Sequence, residues 1–131
     1  MAARYLPPNW LFRRLANPLA RRLGLATTLL VPTRASGRLQ ALPVNVLHHD
    51  GRDYLVSVRG ESQWVRNLRA SGACELRRRG RARRCTVEEV PVEQRAPIVA
   101  AYRRRWDYQA APFFLRLPQL ADHPVFALRD A

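Results

Sequence analysis

Lysine is missing altogether. All 23 basic side chains are arginine, set against 10 acidic ones, which leaves a net charge of +13 on 131 residues. Cysteine occurs only twice, at Cys74 and Cys85, and there is no CxxC pair. That excludes a thiolate zinc site and a disulfide-stapled secreted scaffold. Long apolar runs are absent too. The longest, Leu23 to Pro32, is interrupted by Gly24, Thr27 and Thr28 and is too short to cross a bilayer. The Met1 end carries no continuous apolar segment followed by a small-residue cleavage site, so a cytoplasmic location is expected, with the inner face of the cell membrane as an alternative. The chain also lacks a GxSxG elbow, a P-loop and a GxGxxG turn, which argues against a serine hydrolase and both common nucleotide folds. Its three histidines make no metal site: His48 and His49 are neighbours that face opposite ways on a strand, and His123 precedes Pro124 as a packing or capping residue. Glu88 and Glu89 alternate in the same way and form no acid/base pair. Any chemistry must come from a bound cofactor.

What is present is arginine and a normal core. Hydrophobic residues make up 47% of the chain, enough for one domain and inconsistent with disorder. A pI near 11.6 calls for an anionic partner: a phosphorylated cofactor, an anionic membrane surface or nucleic acid. Guanidinium groups suit such partners, because their planar fork donates two parallel hydrogen bonds to phosphate or carboxylate. Six arginines crowd into Arg77–Arg84, yet this run falls at an expected hairpin tip and lacks the interleaved aromatics of a single-strand binder. Nucleic-acid binding is therefore the third reading.

Local patterning predicts a mainly β domain with flanking helices. Asn9–Gly24 reads as an amphipathic helical region, with Leu11, Phe12, Leu15, Leu19 and Leu23 on one face and a break at Asn17-Pro18. It packs on the domain or lies on anionic lipid. Residues 1–25 are thus set apart from a domain at 26–131. Strands are expected at Ala26–Val31 and Leu39–Leu47, and Asp50-Gly51 pairs Pro43–Leu47 with Tyr54–Val58. Ser62 is expected to cap a helix over Gln63–Ala70 that Ser71-Gly72 ends. A second hairpin joins Ala73–Arg78 to Arg81–Val90 through Arg79-Gly80, so Cys74 and Cys85 face each other; a disulfide could join them, but a cytoplasm favours reduced, half-buried thiols. A helix follows from Val92 to about Arg105, then a Pro- and aromatic-rich tail from Pro112 to Ala131. Hairpins with helices outside predict a small antiparallel barrel.

Two stretches gather polar groups. In Thr33–Val44, hydroxyl, glycine and guanidinium groups converge at a turn whose free backbone amides form an anion-binding nest, if it is more than an ordinary polar turn. In Arg59–Leu68, a helix N-terminus offers unpaired amides to an anion or an electron-rich ring edge.

Together these stretches resemble a known family. TRASGRLQALPV resembles the (T/G)R(K/T)SGxPRxxPV segment of the deazaflavin-dependent nitroreductases and quinone reductases, and RGESQWVRNLRASG is similar to their GxxSxWVRNLRAxG. HPVF in the tail looks like the family's C-terminal signature, so the likeness runs from about Thr27 to Leu128. It implies a split β-barrel like that of flavin-binding oxidases. It also implies coenzyme F-420 as cofactor and hydride transfer to a small-molecule acceptor, quinone-like or nitroaromatic. By position, Arg34, Ser36, Gly37 and Arg38 would hold the phosphate and glutamyl tail, and Pro43 would shape the groove. Arg59, Gly60, Ser62, Trp64, Val65, Asn67 and Leu68 would line the deazaflavin ring and ribityl side. Some family members are found at membranes, which matches the basic N-terminal segment.

Two positions depart from the pattern. Ala35 replaces a basic residue or threonine, and Gln40 replaces an arginine. Loss of a guanidinium that forks onto phosphate costs about 1.5–3 kcal/mol, or roughly ten- to a hundredfold in affinity. Gln40→Arg is then expected to tighten the cofactor. The competing reading is a non-catalytic carrier of a fatty acid or other apolar ligand on the same barrel. No catalytic residue stands out; Tyr54, Tyr102 and Tyr108 are all candidate proton donors.

Overall fold

A computed structural model describes residues 26–131; the N-terminal amphipathic segment expected above lies outside them. Seven strands follow in chain order: β1 (Thr27–Pro32), β2 (Leu39–Val44), β3 (Leu47–His49), β4 (Arg52–Val56), β5 (Ala73–Arg78), β6 (Arg81–Glu89) and β7 (Val125–Asp130). Helix α1 (Gln63–Ser71) lies between β4 and β5, and α2 (Ala96–Arg116) between β6 and β7. All pairings are antiparallel, in the order β2-β1-β5-β6-β7-β4-β3.

That order bends the sheet. β2 and β3 form its two outer edges, yet only Asn45 and Val46 separate them in sequence. Three Cα steps reach at most about 11 Å, so the two edges must approach each other and the sheet curls into a barrel with an unbonded seam. This is the split β-barrel the sequence predicts.

Side chains that alternate along the strands fill two layers. Leu29, Val31, Leu42, Leu55, Leu76, Cys85, Phe126 and Leu128 form the interior with Trp64, Val65 and Leu68 of α1. On the opposite face of β4 and β7, Tyr54, Val56 and Val125 pack under Ile98, Val99, Tyr102, Trp106 and Phe114 of α2. β4 is therefore buried on both faces over Tyr54–Val56. Arg83 shares the inward face with Cys85 and donates to Asp53 Oδ2 at 2.7 Å and Asp130 Oδ1 at 2.5 Å. This ion network sits beside the apolar interior.

Both turns behave as expected. Asp50 and Gly51 (φ 53° and 74°) and Arg79 and Gly80 (φ 53° and 75°) are left-handed pairs, as a two-residue hairpin needs. Cys74 pairs with Cys85, and both thiols are buried rather than half-buried. Burial pushes the Cys74 thiol up to about 12 and the Cys85 thiol upward as well, so both stay protonated.

Four expectations need correction. Leu39–Leu47 is not one strand: Pro43 and Val44 pair with Thr28 and Thr27 of β1, and after Asn45 the chain joins the other sheet edge. Only Leu47–His49 pairs across Asp50-Gly51, with Leu47 opposite Tyr54 as expected, while Val58 lies beyond β4 and its expected partner Pro43 is on β2. The last helix starts at Ala96, after a 3-10 turn at Val92–Gln94, and runs through Pro112 to Arg116. It does break where its end is expected, since Trp106 leaves helical geometry (φ −124°, ψ 17°), but a second helical segment continues. Finally, the tail supplies β7, which lies between β6 and β4. His123 fixes its approach: Nδ1 is 2.8 Å from the Ser57 carbonyl and Nε2 is 2.5 Å from the Leu117 carbonyl.

Candidate cofactor site

The site begins with α1. Its apolar residues are spaced so that Trp64, Val65 and Leu68 turn into the barrel, and Gln63 and Asn67, one helical turn apart, share another face. Gly72 ends the helix in the left-handed conformation (φ 70°), its N–H bonded to the Leu68 carbonyl. At the other end, Ser62 occupies the capping position with extended backbone, but its hydroxyl makes no cap hydrogen bond. This corrects the expected cap. The buried Ser62 Oγ and Glu61 Oε2 have no hydrogen-bond partner among the described residues. The first amides of any helix have no intrahelical acceptor, so α1 opens with donors that its own ladder does not use, beside the Ser62 hydroxyl.

The loop before α1 is tightly wound. Ser57 Oγ donates to the Gly60 carbonyl at 2.6 Å, and Ser62 N–H returns to that same oxygen at 2.8 Å. Gly60 takes φ 88°, a conformation that costs other residues strain. Arg59 is buried, its guanidinium 4.7 Å from the Phe113 ring centroid of α2. Behind the loop runs an ion chain: Glu61 Oε1 to Arg69 Nη2 (3.2 Å), Arg69 Nε to Glu89 Oε1 (2.7 Å), and Arg95 Nη2 to Glu89 Oε2 (3.3 Å). The Arg69 hydrogen bond, only partly opposed by burial, holds the Glu89 carboxyl below its ordinary value. Arg95 is buried and also donates to the carbonyls of Val90 and Leu120. Loop, α1, β6 and the start of α2 are thereby tied into one frame.

The β1–β2 turn docks on α1. Arg34 donates from its backbone N–H (3.1 Å) and Nη1 (2.7 Å) to Asn67 Oδ1, and from Nη2 to Gln63 Oε1 at 2.8 Å. Asn67 Nδ2 donates to Gln40 Oε1 on β2 at 2.9 Å. Within the turn, Thr33 N–H bonds the Arg38 carbonyl, Gly37 N–H the Thr33 carbonyl, and Arg38 N–H the Ser36 hydroxyl. Thr33 and Ser36 hydroxyls bond each other at 2.8 Å. The amides of Thr33, Arg34, Gly37 and Arg38 are thus spent inside the protein. Those four amides are therefore not free for an anion, and the exposed Arg34 and Arg38 side chains carry the turn's positive charge.

The other expected residues are distributed as follows. Arg59, Gly60 and Ser62 lie together at the entry to α1, and Asn67 connects that helix to Arg34 and Gln40. Val65 and Leu68 have no exposed surface and Trp64 retains 9%, packed against Phe126, so their side chains belong to the core. Pro43 is half-buried on β2, opposite Thr28. The buried Tyr54 and Tyr102 belong to the layer under α2, and Tyr108 is exposed. Gln63 and Phe113 were missed from the sequence. For Gln63 a signal existed, since it stands one helical turn before Asn67. Among the described residues no cluster of His, Cys, Asp and Glu can hold a metal ion, and no helix is long and apolar enough to cross a membrane.

Comparison with known proteins now decides the family. Residues 8–111 match the family described as F420H(2)-dependent quinone reductase. The chain belongs to it. No curated protein matches. Among solved structures, an F420-H2 dependent reductase is similar at 17% identity over 79% of this chain and 92% of its own, with a TM-score of 0.62. A protein of unknown function from Agrobacterium tumefaciens aligns at 18% identity over 95% of this chain and 57% of that one, with a TM-score of 0.60. The heme storage protein HutZ from Vibrio cholerae aligns at 13% identity over 85% and 84%, with a TM-score of 0.58. At such identities these likenesses establish the split-barrel fold, and the family match establishes an oxidoreductase.

The residues present fit the F420 cofactor of this quinone reductase family. An acidic tail calls for cations and a polar ring edge for hydrogen-bond donors, and the exposed Arg34 and Arg38 side chains and the unpartnered Ser62 hydroxyl are groups of those kinds.

Proposed function

We propose that this F420H(2)-dependent quinone reductase family member binds the reduced deazaflavin across the start of α1 and reduces a quinone-like or nitroaromatic acceptor. When bound, the cofactor supplies two electrons and two protons overall, taking a quinone to its hydroquinone. The protein's part is to bind, orient and exclude water. Arg34 and Arg38 attract the phosphate and glutamyl carboxylates, and Ser62 with the α1 amides meets the polar edge of the ring. Arg59 and Gly60 shape the adjoining loop. Trp64, Val65 and Leu68 act from below, by holding α1 in place.

One observation carries this reading. The two polar stretches, far apart in sequence, are joined side to side by Arg34 with Asn67 and Gln63, so a cationic turn stands against a helix N-terminus. An anion gains from both. The test is a fluorescence titration with F420 at low and moderate salt, followed by addition of menadione to the reduced complex. Saturable binding in the low micromolar range that survives moderate salt, with oxidation only when menadione is added, is the expected result. No binding at either salt overturns the reading and puts the carrier first, to be pursued by extracting the protein for bound fatty acid.

A further inference from the structure

Several arginines among the described residues are neutralised by their partners. Arg69, Arg77, Arg83, Arg95 and Arg103 each touch a carboxylate. Arg34 differs. Its hydrogen bonds go to two amide oxygens, which orient the guanidinium without cancelling its charge. Its location sharpens the contrast, because Gln63 opens α1, where the helix dipole is positive and a cation is unfavourable unless an anion joins it.

Asn67 is the centre of this arrangement. It is 3% exposed, and its orientation is unambiguous. Two Arg34 donors converge on one side-chain atom, which must be the oxygen, so the nitrogen faces Gln40 and needs the acceptor that Gln40 Oε1 provides. A guanidinium at position 40 would set donor against donor there. Asn67 would then have to turn over and release Arg34.

We propose that Asn67, seated by Gln40 and assisted by Gln63, is a positioning residue that holds Arg34 as an oriented, uncancelled cation for the phosphate-bearing tail of the cofactor. This rests on the functional reading above. Two of the five guanidinium protons are committed to the amides, and the fork geometry of the rest suits an oxyanion. Gln40 thereby gains a role of its own. It is the acceptor that seats Asn67, rather than an arginine lost from the phosphate site.

The experiment compares two ligands, F420 and its riboflavin-level deazaflavin core, which has the same ring but neither phosphate nor glutamate. The ratio of their dissociation constants isolates recognition of the tail, and a general loss of stability lowers both affinities and leaves the ratio in place. In Asn67→Ala and in Asn67→Asp, which neutralises Arg34, the preference for F420 is expected to fall about tenfold. Gln63→Ala, an exposed change that removes one bond, is expected to reduce it by about threefold. Gln40→Arg is expected to reduce the preference as well, against the expectation from the family pattern alone. If the wild type binds both ligands and the ratio stays within about twofold in all four variants, or rises in Gln40→Arg, the inference is overturned while the functional reading stands. If the wild type binds neither ligand, both fall together.

Discussion

The protein concentrates arginine in two places that use it in opposite ways. At the β5–β6 tip, Arg77, Arg78, Arg79, Arg81 and Arg84 are exposed, and the first three border a shallow groove of about 200 Å³ with Thr28, Leu30 and Gly80. At the β1–β2 turn there are only Arg34 and Arg38, but Arg34 is anchored by three hydrogen bonds to a helix that is itself anchored in the core. The tip lies next to Thr28, the turn begins at Thr33, so the two lie toward opposite ends of β1. Five residues of strand are about 16 Å. The comparison teaches that density of charge does not make a site. An exposed arginine loses side-chain freedom when a ligand orders it. Arg34 has already lost much of that freedom.

The largest effect is expected where the anchored site meets the core. Leu68→Ala removes a side chain with no exposed surface and should destabilise the fold by about 2–5 kcal/mol in denaturant unfolding, loosening α1 and the turn that rests on it. Next comes the direct contrast. Arg34→Ala should weaken F420 by about 1.5–3 kcal/mol, whereas the triple replacement of Arg78, Arg79 and Arg81 by Ala should change its dissociation constant by less than about twofold at moderate salt. Equal losses in the two variants would erase the distinction.

Acid tests the frame behind the site. Glu89 is held below its ordinary 4.5 by Arg69, so its contribution is complete above that pH and disappears as the pH falls through its lower folded-state value. Glu89→Gln should therefore lower the melting temperature at pH 7 and make little difference under strongly acidic conditions, as followed by circular dichroism. The smallest effect belongs to the tip. Arg79 occupies a left-handed position (φ 53°) at which asparagine is less strained, so Arg79→Asn should stabilise the protein by about 0.5–1 kcal/mol and leave cofactor binding unchanged.

How much of this was legible from the sequence depends on the range of the deciding interaction. Asp50-Gly51 and Arg79-Gly80 specify their hairpins locally, and the register that sets Cys74 against Cys85 follows from the turn alone. Helix α1 was legible because Ser71-Gly72 ends it and its apolar spacing is helical. β7 was not, since its apolar stretch is a continuous run of only four residues, Val125 to Leu128, and the edges of β6 and β4 make it a strand. The switch at Asn45 was equally hidden, because barrel closure and not local propensity divides β2 from β3. In the site, the motifs marked the right stretches, but which polar atoms remain unused was decided by packing. Ser62 looks like a cap in sequence and is none, and four amides of the β1–β2 turn look open and are spent within the protein.

The placement of β7 has a consequence for how the protein is made. Until Val125–Asp130 emerges from the ribosome, β6 and β4 carry bare edges on which the whole β4–β3 hairpin should hang. A nascent chain that stops short of residue 125 presents unpaired backbone that can recruit strands from neighbouring chains. For this barrel, then, the strand that follows the other six in the chain is the one that joins β6 to β4.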